Sequence, residues 1–227
     1  MSDMQDLFPI NTGFLSIAPD ALKTMMTRIA VKMRLGAGDV LFEQGQQGDT
    51  FYAIISGKLE FSVISVEGKK LSLDVMHKGA LFGEITLFDP GPRTATVTAL
   101  EPSLIWGVKH DDVLQELWAS PELGIAMIQL AGQRMRWMGR QLNEQVFLSL
   151  EARLARKVIH LTSHDSNSQP VLGLSQAELS EFVGASREAV SKTLAGWGRS
   201  GHISLVRGGL RVLNKSALKQ LAEFAKI

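Results

Sequence analysis

Ser175-Gln176-Ala177-Glu178-Leu179-Ser180-Glu181-Phe182-Val183-Gly184-Ala185-Ser186-Arg187-Glu188-Ala189-Val190-Ser191-Lys192-Thr193-Leu194 is the stretch on which the reading turns. Two serines stand where helices begin, because a serine Oγ accepts from a backbone N–H that the first helical turn leaves without a partner. Ser175 opens a helix over Gln176–Val183, and Leu179 and Val183 form its apolar face at i, i+4. Gly184 ends it: a tight inter-helix turn needs φ > 0, which glycine adopts without the steric cost of a Cβ. Ser186 opens a second helix running to about Arg199, with Val190 and Leu194 inward. Two short helices around a glycine turn at this spacing predict a helix-turn-helix.

The second helix leaves Arg187, Glu188, Ser191 and Lys192 outward, with Ser186 at its start. The N-terminal residues of such a helix meet base edges in the DNA major groove. Arginine can bond guanine bidentately and glutamate can accept from cytosine N4, each good pair contributing roughly 1–3 kcal/mol of discrimination. Downstream, Ile203 to Leu213 alternates around Gly208-Gly209, a hairpin signal. Arg207 and Arg211 make that hairpin a basic wing able to touch phosphate. From Phe147 onward there are 11 Lys and Arg against 6 Asp and Glu, a balance of +5. Residues 1–146 hold 13 against 17, a balance of −4. A basic C-terminal third suits a polyanion partner.

Working toward the N-terminus, Ser149 is a third helix start, with Glu151 in the first turn and Leu150, Leu154, Val158 and Leu161 on the apolar face. A polar loop, His164 to Pro170, follows it. Before it, Ser120-Pro121-Glu122 combines an N-cap serine, a first-turn proline and an acid near the positive end of the helix dipole. A long helix from about 120 to 145 is expected. Ile128, Ala131, Met135, Met138 and Leu142 are spaced 3, 4, 3, 4 along it, the seam of a coiled coil. A second copy of the same helix is the simplest partner, giving a homodimer; the alternative is packing on the chain's own N-terminal domain. The domain boundary lies between about Leu142 and Ser149, dividing the chain into 1–142 and 143–227.

From about Met33 to Val108 the character is different. Short apolar runs such as Thr50-Phe51-Tyr52-Ala53-Ile54-Ile55 and Leu59-Glu60-Phe61-Ser62-Val63-Ile64 alternate with glycines at 36, 38, 45, 48, 57, 68, 79 and 83. This predicts an all-β roll or sandwich, with hairpin turns at Ser56-Gly57 and Glu67-Gly68. His110 to Trp118 reads as a short helix. The fold class is therefore α+β: a β-roll (jelly roll), a long dimerisation helix and a C-terminal winged helix-turn-helix.

Several function classes fall away. With no cysteine, disulfides, Cys-ligated zinc, cysteine nucleophiles and iron–sulfur clusters are excluded. Met1 to Asn11 lacks the apolar region of a secretory signal. The longest apolar run, Leu123 to Gly132, is about half the length of a membrane span. A cytoplasmic protein with no membrane partner is expected. No Ser-His-Asp set, P-loop or HExxH motif is present, so no enzyme and no catalytic residue is expected.

Taken with these motifs, the chain resembles the Crp–Fnr (catabolite activator protein) family of bacterial regulators from about Ile17 to Leu213. Gly184-Ala185-Ser186-Arg187-Glu188-Ala189-Val190-Ser191-Lys192 is similar to the family's recognition helix. Phe82-Gly83-Glu84-Ile85-Thr86-Leu87-Phe88 followed by Pro92-Arg93-Thr94-Ala95-Thr96-Val97 is similar to the phosphate-binding cassette of cyclic-nucleotide-binding domains. The resemblance implies a cyclic nucleotide, cAMP by default, with Arg93 and Thr94 on the phosphate, Gly83 admitting close approach and Glu84 accepting from the ribose 2′-hydroxyl. It also implies an inverted repeat of TGTGA-like half-sites. If the protein is an activator, it implies contact with RNA polymerase near the loop Asp165 to Pro170. One register departs from the family. Where cAMP-binding members present Thr–Ser to adenine, this chain has Met138-Gly139, and Met138 offers only packing against a purine face. cGMP, a cyclic dinucleotide or independence of ligand therefore stay open. The iron–sulfur branch is closed. His77 is either an axial haem ligand or a solvated loop histidine, and one histidine without a second ligand in the sequence does not make haem expected. His160 and His164, with Asp165, read as cations near a helix C-terminus rather than a metal set, so no metal site is expected.

Overall fold

Glycines break the N-terminal half every few residues, and the chain between them is drawn into strands. In the computed structural model, residues 20–163, 165 and 167–223 are described. After α1 (Asp20–Ile29) come β1 (Val31–Leu35), β2 (Val40–Phe42), β3 (Thr50–Ser56), β4 (Lys58–Ile64), β5 (Lys70–His77) and β6 (Leu81–Phe82). A short helix, α2 (Ile85–Phe88), precedes β7 (Thr96–Ala99) and β8 (Ser103–Lys109). The strands make two four-stranded sheets, ordered β1-β8-β3-β6 and β2-β7-β4-β5. Gly68, at positive φ, turns the chain at the expected β4–β5 hairpin, whereas Gly57, also at positive φ, carries it from β3 in one sheet to β4 in the other, so the hairpin expected at Ser56-Gly57 is a crossing between sheets instead.

Register decides which residues line the interior. Leu59 faces Ala99 and Phe61 faces Val97 across β4 and β7. These four join Phe42, Tyr52, Ile54, Met76, Phe82 and Ile105 in one buried cluster between the sheets. A second cluster lies outside the first sheet, where Met25 and Met26 of α1 meet Phe51, Val108 and Val113. It also takes in Leu123, Met127 and Leu130 of the long helix.

Three of the helices that follow are capped by serine side chains, while Ser120, before the long helix, donates to the Glu122 carboxylate at 3.1 Å. α3 spans His110–Ala119 and α4 spans Pro121–Phe147 without a break. α5 (Leu150–Leu161) starts at Ser149, whose Oγ accepts from Ala152 N–H at 3.2 Å. α6 (Gln176–Val183) has a full capping box: Glu178 N–H donates to Ser175 Oγ, and Ser175 N–H donates to the Glu178 carboxylate at 2.7 Å. Gly184 closes it at φ 61°. α7 (Arg187–Arg199) is capped by Ser186, which accepts from Ala189 N–H at 3.2 Å.

The wing has three strands, β9 (Val171–Leu172), β10 (Ile203–Val206) and β11 (Gly209–Val212), ordered β10-β11-β9. Its turn differs from the expected Gly-Gly. Val206 pairs with Gly209, so Arg207-Gly208 are the two turn residues. Gly209 instead lies where a Cβ would fall 2.1 Å from the Leu172 carbonyl oxygen, in the added strand β9. α8 (Lys215–Glu223) completes this part.

The described residues form two compact units. Those up to Ile64 together with Leu73–Met138 make one; Ser65–Ser72 with Gly139 onward make the other. The division falls between Met138 and Gly139, inside α4 and four residues before the boundary expected from sequence. No helix among the described residues is long and apolar enough to cross a membrane. The expectations for Met1 to Asn11 and for His164 lie outside the described residues.

Candidate effector site and nucleic-acid interface

The cassette residues converge on one buried guanidinium. Arg93 is 5% exposed. Its backbone is strapped to the loop before β3: Arg93 N–H donates to the Gln46 carbonyl at 2.7 Å, and Gly45 N–H donates to the Arg93 carbonyl at 2.8 Å. The side chain then runs inward. Nη2 donates to the Thr50 carbonyl at 2.8 Å and Nη1 to Thr86 Oγ1 at 3.2 Å, while Thr86 donates to the Gly83 carbonyl at 3.1 Å. The Phe42 ring lies 4.3 Å and the Tyr52 ring 5.4 Å from the guanidinium carbon. A cation over aromatic faces is attracted by their quadrupoles, and more so when desolvated.

Glycine is required beside it. At Gly83, φ is 79° and a Cβ would sit 2.9 Å from the Thr50 carbonyl oxygen and 3.0 Å from Arg93 Nη1. Burial pulls the Arg93 pKa below its usual value, opposed by Tyr52, Asp49 and Glu84. Guanidinium nevertheless stays charged. Asp49, at the rim, is held below the ordinary carboxylate range by the Lys109 ammonium 2.7 Å away.

Glu84 is 4% exposed at the start of α2. Its Oε1 lies 3.1 Å from Arg134 Nε, and Arg134 also donates to the Leu81 carbonyl. Sequence reasoning missed Arg134, Thr50 and Thr86. The structure thus brings Gly83, Glu84 and Arg93 together. Thr94 is exposed next to them in sequence. Met138 is 54% exposed on α4, with Ile128 at 71%, Met135 at 66% and Leu142 at 65%; Ala131 is half-buried. These are the seam residues, and in one chain they are uncovered.

The residues present fit a cyclic phosphate. A monoanion in a low-dielectric site needs a cation and donors. Arg93 supplies a planar fork with five N–H donors, and a two-glycine cradle allows backbone approach. At Gly48 a Cβ would collide with Arg93 Nε at 2.2 Å, so this second glycine shapes the same space. Among the described residues no cluster of three or more His, Asp or Glu suits a metal. His160 lies in the last turn of α5 and is buried.

The second site is an exposed surface. Arg187, Glu188 and Lys192 of α7 are exposed, Ser191 is half-buried, and Ser186 is exposed while capping the helix. Val190, Leu194 and Trp197 anchor the opposite face of α7 at 0–2% exposure. Trp197 Nε1 donates to Glu151 Oε1 at 2.9 Å, fixing α7 against α5. Arg207 at the wing turn and Arg211 on β11 are exposed.

The chain carries a β-roll with a buried arginine cassette and a winged helix-turn-helix. Comparison with known proteins agrees. Residues 32–119 match the cyclic nucleotide-binding domain family, and residues 152–221 match the Crp-like helix-turn-helix domain family. The chain is similar to a CRP-like cAMP-activated global transcriptional regulator of Mycobacterium tuberculosis, 28% identical over 85% of this chain and 88% of that protein. It is also similar to the cyclic AMP receptor protein of Thermus thermophilus, 27% identical over 82% and 85%. A solved CRP/FNR-family transcriptional regulator, also from Thermus thermophilus, superposes with a TM-score of 0.75 at 26% identity, covering 86% of this chain and all of that one. The two matches together place the chain in the Crp–Fnr family, and it is a DNA-binding transcription regulator; the relatives it matches are transcription regulators rather than enzymes.

Proposed function

We propose that this regulator is a homodimer gated by a cyclic nucleotide, cAMP by default, held in the roll by Gly83, Glu84, Arg93 and Thr94. The observation that carries the reading is the buried Arg93 guanidinium, oriented by Thr50 and Thr86 beside Glu84 and backed by glycines. Arg93 takes the phosphate, Thr94 adds a hydroxyl and an N–H, and Glu84 accepts from the ribose. The relatives named for cAMP supply the default base. Ile128, Ala131, Met135, Met138 and Leu142 form the seam between two copies. Ligand must bind the reading-competent dimer better than the other state, since equal affinity switches nothing. The two heads then read an inverted repeat of TGTGA-like half-sites through Ser186, Arg187, Glu188, Ser191 and Lys192, with Arg207 and Arg211 on phosphate.

Calorimetric titration with cAMP and cGMP tests the gate. Arg93→Ala is expected to weaken binding by roughly 1.5–3 kcal/mol, the contribution of a charge-assisted bond. A variant that binds like the wild type overturns the assignment. One observation favours a second reading: Arg93 and Glu84 already have protein partners. A wild-type chain that binds neither nucleotide yet footprints its DNA site is a ligand-independent regulator. For the reader, Arg187→Ala is expected to relax preference at one guanine by about 1–3 kcal/mol. Unchanged base preference in a half-site panel removes Arg187 from that role.

A further inference from the structure

The side of α4 turned toward the roll reads Leu123, Met127, Leu130, Arg134, Trp137. The first three are buried at 1–4% exposure. Arg134 holds Glu84 and reaches Met76 Sδ at 3.7 Å. Trp137, next along the stripe, is partly buried against the aromatic cluster inside the roll. That cluster contains Phe42 and Tyr52, the two rings against which Arg93 lies, and Phe82, stacked on Tyr52 at 5.1 Å and 18°. Met138 points elsewhere, 54% exposed with the seam residues. The α4 side chain against the interior, one helical turn from the residue that grips Glu84, is therefore an indole.

An indole differs in kind from a hydroxyl or amide at such a place. It offers a broad π-face, one N–H donor and no acceptor. It meets a nucleobase by its face and has little with which to distinguish the hydrogen-bonding edges of adenine and guanine. Stacking of this sort tolerates any base, because every base has a π-face.

We propose that Trp137 is the base-contacting residue of the effector site, and that the site holds the base by its face rather than reading its edge. The proposal rests on the cyclic-nucleotide reading above and assigns the base subsite within it. Adenine and guanine cyclic nucleotides then bind with similar affinity.

The test is calorimetric titration of the full-length protein with cAMP, cGMP and base-free ribose 3′,5′-cyclic phosphate. Wild type, Trp137→Leu, Trp137→Phe and Arg93→Ala are compared. The wild type is expected to bind the two purine nucleotides within about fivefold of each other. Trp137→Leu is expected to weaken both by roughly tenfold or more, the scale of one base–aromatic stack, and to leave the base-free probe within about twofold. Trp137→Phe, which keeps an aromatic face, is expected to retain most of the affinity, and Arg93→Ala to weaken all three probes alike, by roughly 10- to 100-fold. Nucleotide binding unchanged in Trp137→Leu overturns the proposal while leaving the gate intact. So does a preference beyond fivefold for one purine, or equal weakening of the base-free probe. A wild type that binds none of the three removes the cyclic-nucleotide reading, and this proposal with it.

Discussion

Ile128→Asp combined with Met135→Asp is expected to yield a monomer whose affinity for a symmetric DNA site is lower by roughly 10²–10⁴-fold, the avidity that a second linked head contributes. The argument starts from exposure. Ile128 and Met135 are 71% and 66% exposed in the single chain, and Leu142 a further heptad on is 65% exposed. Large apolar groups in an unbroken row along a helix mark an interaction surface rather than scattered surface residues. Placing two carboxylates in the row sets four like charges against one another in a dimer, in a seam meant to exclude water. Neither substitution touches the buried side of α4, so each domain should remain folded. Light scattering and DNA-binding anisotropy on the same sample check the result. A variant that stays dimeric assigns the seam to something other than self-association.

Arg134→Ala is expected to destabilise the sensor unit by about 3–5 kcal/mol, the usual consequence of removing one member of a buried ion pair. The side chains of Arg134 and Glu84 are only 13% and 6% exposed. Truncating the arginine strands the Glu84 carboxylate without its cation and also frees the Leu81 carbonyl. The cost is desolvation left uncompensated rather than attraction lost. Adding Glu84→Gln to Arg134→Ala should therefore recover much of the stability. Urea unfolding of the two variants separates these ideas. A single variant within about 1 kcal/mol of wild type would mean that Glu84 is satisfied without Arg134.

Signals confined to a few neighbouring residues were legible in the sequence. Ser149, Ser175 and Ser186 announced three helix starts because a cap acts within three residues of itself. Gly184 announced the turn between two of them. Contacts across the chain were not legible. Arg93 finds its acceptor at Thr50, 43 residues away, and no local pattern marks that threonine. Strand β9 is two residues long and exists only because β11 lies beside it. Gly208-Gly209 read as a turn, yet the second glycine answers to a neighbouring strand. Arg134 is the instructive omission. Its spacing to Leu130 and Trp137 repeats the 4, 3 rhythm of a buried stripe, and a lone charge in such a stripe signals a buried partner. The wholly apolar 128–142 row on the same helix carries the stronger local signal.

That second row bears on how α4 tolerates change. Leu123, Met127, Leu130, Arg134 and Trp137 serve the roll; Ile128, Ala131, Met135, Met138 and Leu142 make the outer seam. Glu122, Gln129, Arg136 and Asn143, seven residues apart and all exposed, belong to neither row. This narrow strip is where the helix can vary freely. A saturation scan of α4 should return a heptad-spaced comb of permissive sites between two intolerant stripes. Lineages of such a regulator would then drift along this strip of the helix, while new effector or partner preferences would have to arise through costly steps on either side of it.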